Sequence, residues 1–352
     1  DGGYVIRQVS DDRVLYMMDN HNSFQVGTKP STGHVWDVKL SSDGEFIFTN
    51  KEKNKIIQFD SSYGTYAAYP TVTGVYPCLY ECISETVAPV DPTLKGMPKW
   101  LELPETKDDD GLDFYTHDQI TDGKTIRSWS FDYDSKALLS HWIAYPLNKK
   151  LKGSGSRSDQ WGLDPKVPAS KQPVLYTTYK SNNGKKYDRG HQLPSADRQC
   201  CYDANAQTFY GTNMTPQLNA HNEGIWSALE NKVRSIANGS DTTYVVTGVV
   251  VSASSRKEED SYGNSVTIPD AYYKVLLRYS KSSTLGQWNA AAFYLEHKDY
   301  GKVSLGKQHS MSVDELEEMT GIDFFVNLPA KIGEDQAAKL EAADPATSSV
   351  WW

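Results

Sequence analysis

The residues able to do chemistry cluster between positions 157 and 230. Residues 187–198 read YDRGHQLPSADR, with a lone His191 directly after Arg189-Gly190 in a polar run that is neither a periodic helix nor an alternating strand. Residues 213–230 read NMTPQLNAHNEGIWSALE, which supplies Asn213 in a loop, Asn222 just before a helix, and Glu230 eight residues further on. That separation is a little over two helical turns, so a carboxamide and a carboxylate fall on roughly one side of the helix. Together they suit a hard, hydrated cation such as Mg2+, which keeps several waters and needs few protein ligands. Mn2+ or another hydrated divalent ion is the alternative.

A histidine, an arginine and a weakly held cation fit phosphodiester hydrolysis. That reaction needs a deprotonated water, neutralised non-bridging oxygens and a stabilised leaving oxygen. A histidine with an ordinary pKa of about 6.5 can accept the water's proton, and such help is worth roughly 10²- to 10⁴-fold. The metal acts as a Lewis acid, Arg189 offers phosphate a bidentate fork, and Gly190 permits close backbone approach. Singly, each residue has a plainer explanation: His191 as a surface histidine, Asn222 as an N-cap, Asp188 as a turn former, Glu230 as an ordinary helix residue. Their joint spacing favours a site.

DRGH, then NMTPQ, then N-x-G-x-W-x-x-L-E resembles the DNA/RNA non-specific endonuclease family, the ββα-metal or His-Me finger nucleases. The resemblance spans roughly residues 98–330, with support from TIPDAYYKVLLRY and SVDELEEMTGIDFFVNLP. It implies that His191 is the general base, Asn222 the direct protein ligand of Mg2+, Glu230 a carboxylate holding the metal's water shell, and Arg189 a phosphate-binding arginine. Asn213 matches a supporting asparagine, and Arg157, in RSDQWGLDP, a second arginine. Asp188 orients the loop, and His221 has no assigned role. The implied activity is Mg2+-dependent, sequence-non-specific cleavage of DNA and RNA, leaving 5′-phosphate and 3′-hydroxyl ends. The resemblance leaves a homodimer open and implies a secreted, periplasmic or cell-surface setting. Two other functions compete: a surface- or glycan-binding protein on a degenerate nuclease scaffold, and a phosphodiesterase of small nucleotides.

The elements that must position these residues form an α+β fold. A ββα-metal nuclease domain with a mixed, mainly antiparallel sheet flanked by helices is expected over 111–335, preceded by a small all-β domain over 1–83 and a linker over 84–110. Residues 336–352 read as a frayed tail. In the first domain YVIRQV, RVLYMM, VWDVKL, EFIFTN and KIIQF are the strand patterns, and an accessory role in binding a surface or glycan is the expectation. IRSWSFDYD and ALLSHWIAYPLN predict a hairpin, and TTYVVTGVVV a strand buried on both faces. Ile225, Trp226, Leu229, Val233 and Ile236 line one face of a helix. SVDELEEMTG predicts another, capped by Ser312 or its neighbour and closed by Gly321.

The net charge of −9 argues against a polyanionic substrate until its distribution is examined. From Ser140 to Ser235 there are 13 Lys and Arg against 7 Asp and Glu, a local basic footprint around His191. No apolar run is long enough to span a membrane. The sequence starts at Asp1 without a leader, so any targeting signal is expected to lie outside it. Cys78, Cys82 and the adjacent Cys200 and Cys201 lack zinc-site spacing. Disulfides within or between the two pairs, or buried thiols, remain open, with a Cys200–Cys201 bond the strained option.

Overall fold

The computed structural model describes residues 2–7, 13–18, 21–28, 30–41, 45–60, 65–77, 100–106, 112–121, 124–180 and 187–352. The chain divides into two compact units, Asp1–Thr86 and Val87–Trp352. Cys78, Cys82 and most of the expected linker lie outside the described residues.

In the first unit Val14–Met17 pairs with Phe24–Gly27, and four strands from Trp36 to Tyr69 form an antiparallel meander. Trp36 is buried at its centre with Met17, Phe48, Ile57 and Ala68. Among its described residues, the expected strand YVIRQV contributes isolated bridges, Tyr4 to Trp36 and Arg7 to Val14. Val14–Met17 pairs instead with Phe24–Gly27, whose Phe24 ring meets Trp36 edge-on.

The second unit is built on a seven-stranded sheet. Its strands in chain order are β1 (Leu112–Thr121), β2 (Lys124–Asp134), β3 (Leu139–Leu147), β6 (Thr242–Val250), β7 (Ala271–Tyr279), β8 (Trp288–Glu296) and β9 (Ser310–Met311), while β4 (Tyr187–His191) and β5 (Met214–Leu218) form a separate ribbon. The sheet order is β9-β8-β7-β6-β3-β2-β1 and every pairing in it is antiparallel. Among the described residues, parallel pairing is confined to isolated bridges such as Gly153 to Gln199. The expected hairpin is β2–β3.

Both faces of the sheet are covered, which is why its central strands read as nearly unbroken apolar runs. On one face Tyr272 and Leu276 pack with Ile225, Trp226, Leu229 and Val233, at and beyond the start of helix α1 (Ser227–Asn238). On the other, Tyr273, Val275 and Leu277 pack with Leu316 of α2 (Val313–Thr320) and Ala337 of α3 (Glu334–Glu341). Helix α2 has the predicted ends: the Ser312 hydroxyl accepts from the Glu315 N–H, the Glu315 carboxylate accepts from the Ser312 N–H, and Gly321 closes it at φ 66°.

Two segments depart from expectation through apolar burial. Leu101 and Leu103, inside the supposed linker, are core residues, and Asn327 Nδ2 donates to the Trp100 carbonyl. The last residues are not frayed either, since Trp351 is buried in the same core as α1.

Candidate active site

DRGH is a strand. β4 pairs antiparallel with β5, with Asp188 opposite Gln217, Gly190 opposite Thr215 and His191 opposite Met214. This ribbon followed by α1 supplies the ββα arrangement. Gly190 is needed here because a Cβ would stand 2.5 Å from Gln217 Cβ. The close neighbour is therefore the partner strand's side chain, where a ligand's approach was expected.

The turn after His191 is fixed by Asn213. Its Nδ2 donates to the Leu193 and Thr208 carbonyls at 2.9 and 2.7 Å, and its Oδ1 accepts from the Leu193 N–H at 2.8 Å. Asn213 is fully buried and holds the turn from behind without reaching the cavity wall. The preceding Thr212 donates its hydroxyl to Asp164 Oδ2 at 2.7 Å, and His117 Nε2 meets the same oxygen at 2.9 Å. The WGLDP segment thus ties the turn to β1.

His191 sits edge-on to Trp161 and Phe209, with ring centroids 5.6 and 5.2 Å away. Its Nε2 is buried and has no protein partner. Burial first, then the Arg157 charge, lowers its pKa to about 3, against a hydrogen bond to the Arg189 backbone. The imidazole is accordingly neutral, and the residue lines the cavity with one ring nitrogen that no protein group engages.

Arg189 stacks on Trp161, its Cζ 3.3 Å from the ring centre, and Nη1 donates to the Leu175 and Tyr176 carbonyls. Arg157 lies over Phe209 at 4.6 Å, half-exposed, with Nε donating to Asp159. Both guanidiniums lie over aromatic rings.

Asn222 occupies a widened turn, Asn222–Trp226, which breaks at Gly224 (φ −93°, ψ −112°) before α1 begins. An unbroken helix from Asn222 to Glu230 is therefore not what brings the two together, yet both line one cavity. Asn222 Nδ2 donates to Asp188 Oδ2 at 3.0 Å, and Asn219 Nδ2 to the same oxygen at 3.1 Å. This fixes the carboxamide with its Oδ1 as the remaining donor atom for a ligand. Burial raises the Glu230 carboxyl to about 7, against the pull of Lys274 and Arg234, with Asp197 adding to the rise.

A cavity of about 290 Å³ is lined by Arg157, Arg189, His191, Asn222 and Glu230, along with Glu223. Five residues from three sequence blocks converge there; Asn213 and His221 do not. His221 is buried among Trp226, Tyr272 and His297, with Nδ1 2.9 Å from Gln217 Nε2. A larger cavity of about 750 Å³ lies elsewhere, beside the buried Arg127–Glu102 pair, and holds none of these residues. Volume does not mark the site; the convergence of polar groups does. Sequence reasoning missed the Asp188–Asn222 bond and the buried Lys274. A lysine amid YYKVLL was the available signal for the latter. Cys200 and Cys201 are free thiols 3.9 Å apart, without the vicinal bond. Among the described residues no helix is long and apolar enough to cross a membrane.

Residues 114–331 match the model of the DNA/RNA non-specific endonuclease family. The chain is similar to a nuclease of Nostoc sp., 30% identical over 60% of this chain and 76% of that protein. It is equally similar, at 30%, to a nuclease of Serratia marcescens, over 61% of this chain and 77% of the other. The mitochondrial nuclease EXOG of Mus musculus is 26% identical over 59% of this chain and 58% of its own length. The match spans the sheet, the ribbon and α1 together, and the chain belongs to the DNA/RNA non-specific endonuclease family, as a nuclease.

Proposed function

We propose that the protein is a Mg2+-dependent endonuclease that cuts DNA and RNA without sequence preference, with His191 as general base and 5′-phosphate and 3′-hydroxyl products. The observation that carries this is the unpartnered Nε2 of a neutral His191 in the same cavity as Asn222, Glu230 and two ring-stacked arginines. His191 takes a proton from the attacking water, at Nε2. Arg157 and Arg189 face the non-bridging oxygens with their orientation already set, so little ordering is left for binding. Phosphate contacts of this kind carry affinity without sequence information.

The donor set fits a hydrated Mg2+. A single carboxamide oxygen from Asn222, with Glu230 reaching coordinated waters, matches an ion that keeps most of its water shell. Such an ion supplies Lewis-acid stabilisation of the phosphate and the leaving oxygen. An extracellular or periplasmic setting belongs to the same proposal.

Cleavage of plasmid and of RNA is expected to stop in EDTA and to return with Mg2+ or Mn2+, with products whose 5′ ends carry phosphate. Full activity in EDTA, or 5′-hydroxyl products, would contradict the proposal.

A further inference from the structure

A lysine stands where a doubly covered strand would ordinarily carry an apolar residue. Lys274 is in the middle of β7 and fully buried. Alternation puts it on the face of Tyr272 and Leu276, toward α1. Its Nζ donates to Thr247 Oγ1 of β6 at 2.6 Å and to the Gln192 carbonyl at 3.5 Å, and lies 4.7 Å from the centre of the Trp226 ring. Gln192 follows His191, and Trp226 leads directly into the helix that carries Glu230. One ammonium therefore bears on the histidine's turn, the sheet and the glutamate's helix.

The charges facing it are few. Glu230 and Asp197 attract it and Arg234 repels it. Arg234 itself donates to Asp197 at 3.1 Å and lies 3.8 Å from Glu230. A buried ammonium is retained only where it is compensated, and the carboxylates supplying that compensation include one on the cavity wall. Glu230 thus feels two cations, Arg234 on its own helix at 3.8 Å and Lys274, whose ammonium sits against Trp226 at the start of that helix.

We propose that Lys274 is a positioning residue of the cleavage site, which sets the Glu230 carboxylate relative to His191 by attracting the first and donating to the turn of the second. The proposal rests on the roles given above to His191 and Glu230. Without Lys274, Arg234 alone attracts Glu230 and draws it toward the Arg234–Asp197 pair, away from Asn222.

The test is a double-mutant cycle of Lys274→Met, Glu230→Gln and the double variant. Its readouts are kcat and KM on plasmid DNA, Mn2+ affinity by titration calorimetry, and melting temperature. Lys274→Met is expected to lower kcat and Mn2+ affinity each by roughly 10- to 100-fold, as loss of a supporting partner does. KM stays within about twofold because Arg157 and Arg189 are untouched. Added to Glu230→Gln, it costs no more than about a further twofold, since its effect passes through that carboxylate. Losses that multiply, or unchanged kcat and Mn2+ affinity in Lys274→Met, overturn the proposal. Wild-type activity and Mn2+ affinity in Glu230→Gln would instead overturn the role of Glu230 itself. If Lys274→Met does not fold, Thr247→Val replaces it in the cycle, since it keeps the charge and removes its nearest acceptor. A smaller loss that vanishes beside Glu230→Gln supports the proposal, and additive losses overturn it.

Discussion

Asp188 and His191 lie three residues apart in one strand and contribute differently. Asp188 acts through Asn222, whose amide nitrogen it anchors. Asp188→Ala frees that carboxamide to rotate, and is expected to cost roughly 10- to 100-fold in kcat and in Mn2+ affinity. Wild-type values for both would show that the bond is idle. His191 is half-buried and neutral, with its pKa lowered from 6.5 to about 3. An unfolded chain binds a proton at this residue from about pH 6.5 downward, and the folded chain does not until about pH 3. The stability linked to His191 is therefore fully present above pH 6.5 and lost as the pH falls through that window. Glu230, raised to about 7, changes stability in the opposite direction as pH falls, so only a difference measurement isolates the histidine. Melting temperature followed from pH 7 to pH 4 is expected to fall less steeply in His191→Ala than in the wild type. Equal slopes would contradict the burial of an uncharged imidazole.

The ribbon is the element on which the site depends, and it was the hardest to read. The hairpin β2–β3, the strand TTYVVTGVVV and both ends of α2 are visible in the sequence because period, caps and turns all act locally. YDRGH has no apolar alternation, and its partner MTPQL is separated from it by more than 20 residues that include the helix Tyr202–Gln207. Pairing between such segments is decided by contacts no short window contains: Asn213 to Leu193, and Asp164 to Thr212 and His117. The glycine in the motif was noticed, but not the reason for it. A methyl group at Gly190 would press on Gln217, so Gly190→Ala is expected to cost about 1–3 kcal/mol, the usual penalty of overpacking. Denaturant unfolding that gives no loss would mean the ribbon yields freely at this point.

For the whole molecule, the α+β nuclease unit agrees with the sequence, and five of the six expected site residues meet at one cavity. What stayed hidden were the buried charges beneath it, Lys274 and the Asp197–Arg234 pair, since composition gives no account of which charges end up inside. The ends of the unit were also misjudged. Leu101, Leu103 and Trp351 look like loop residues by their neighbours and are core residues by their contacts. Trp351→Ala is accordingly expected to destabilise the nuclease unit by about 3–5 kcal/mol, as for other buried aromatics cut to alanine. An unchanged unfolding midpoint would return the segment to the status of a tail. The central claim concerns one ring nitrogen, and plasmid cleavage by His191→Ala in Mg2+ tests it most directly. A rate lowered by about 10²- to 10⁴-fold, with DNA binding retained, is predicted for loss of the general base; cleavage at the wild-type rate would contradict it.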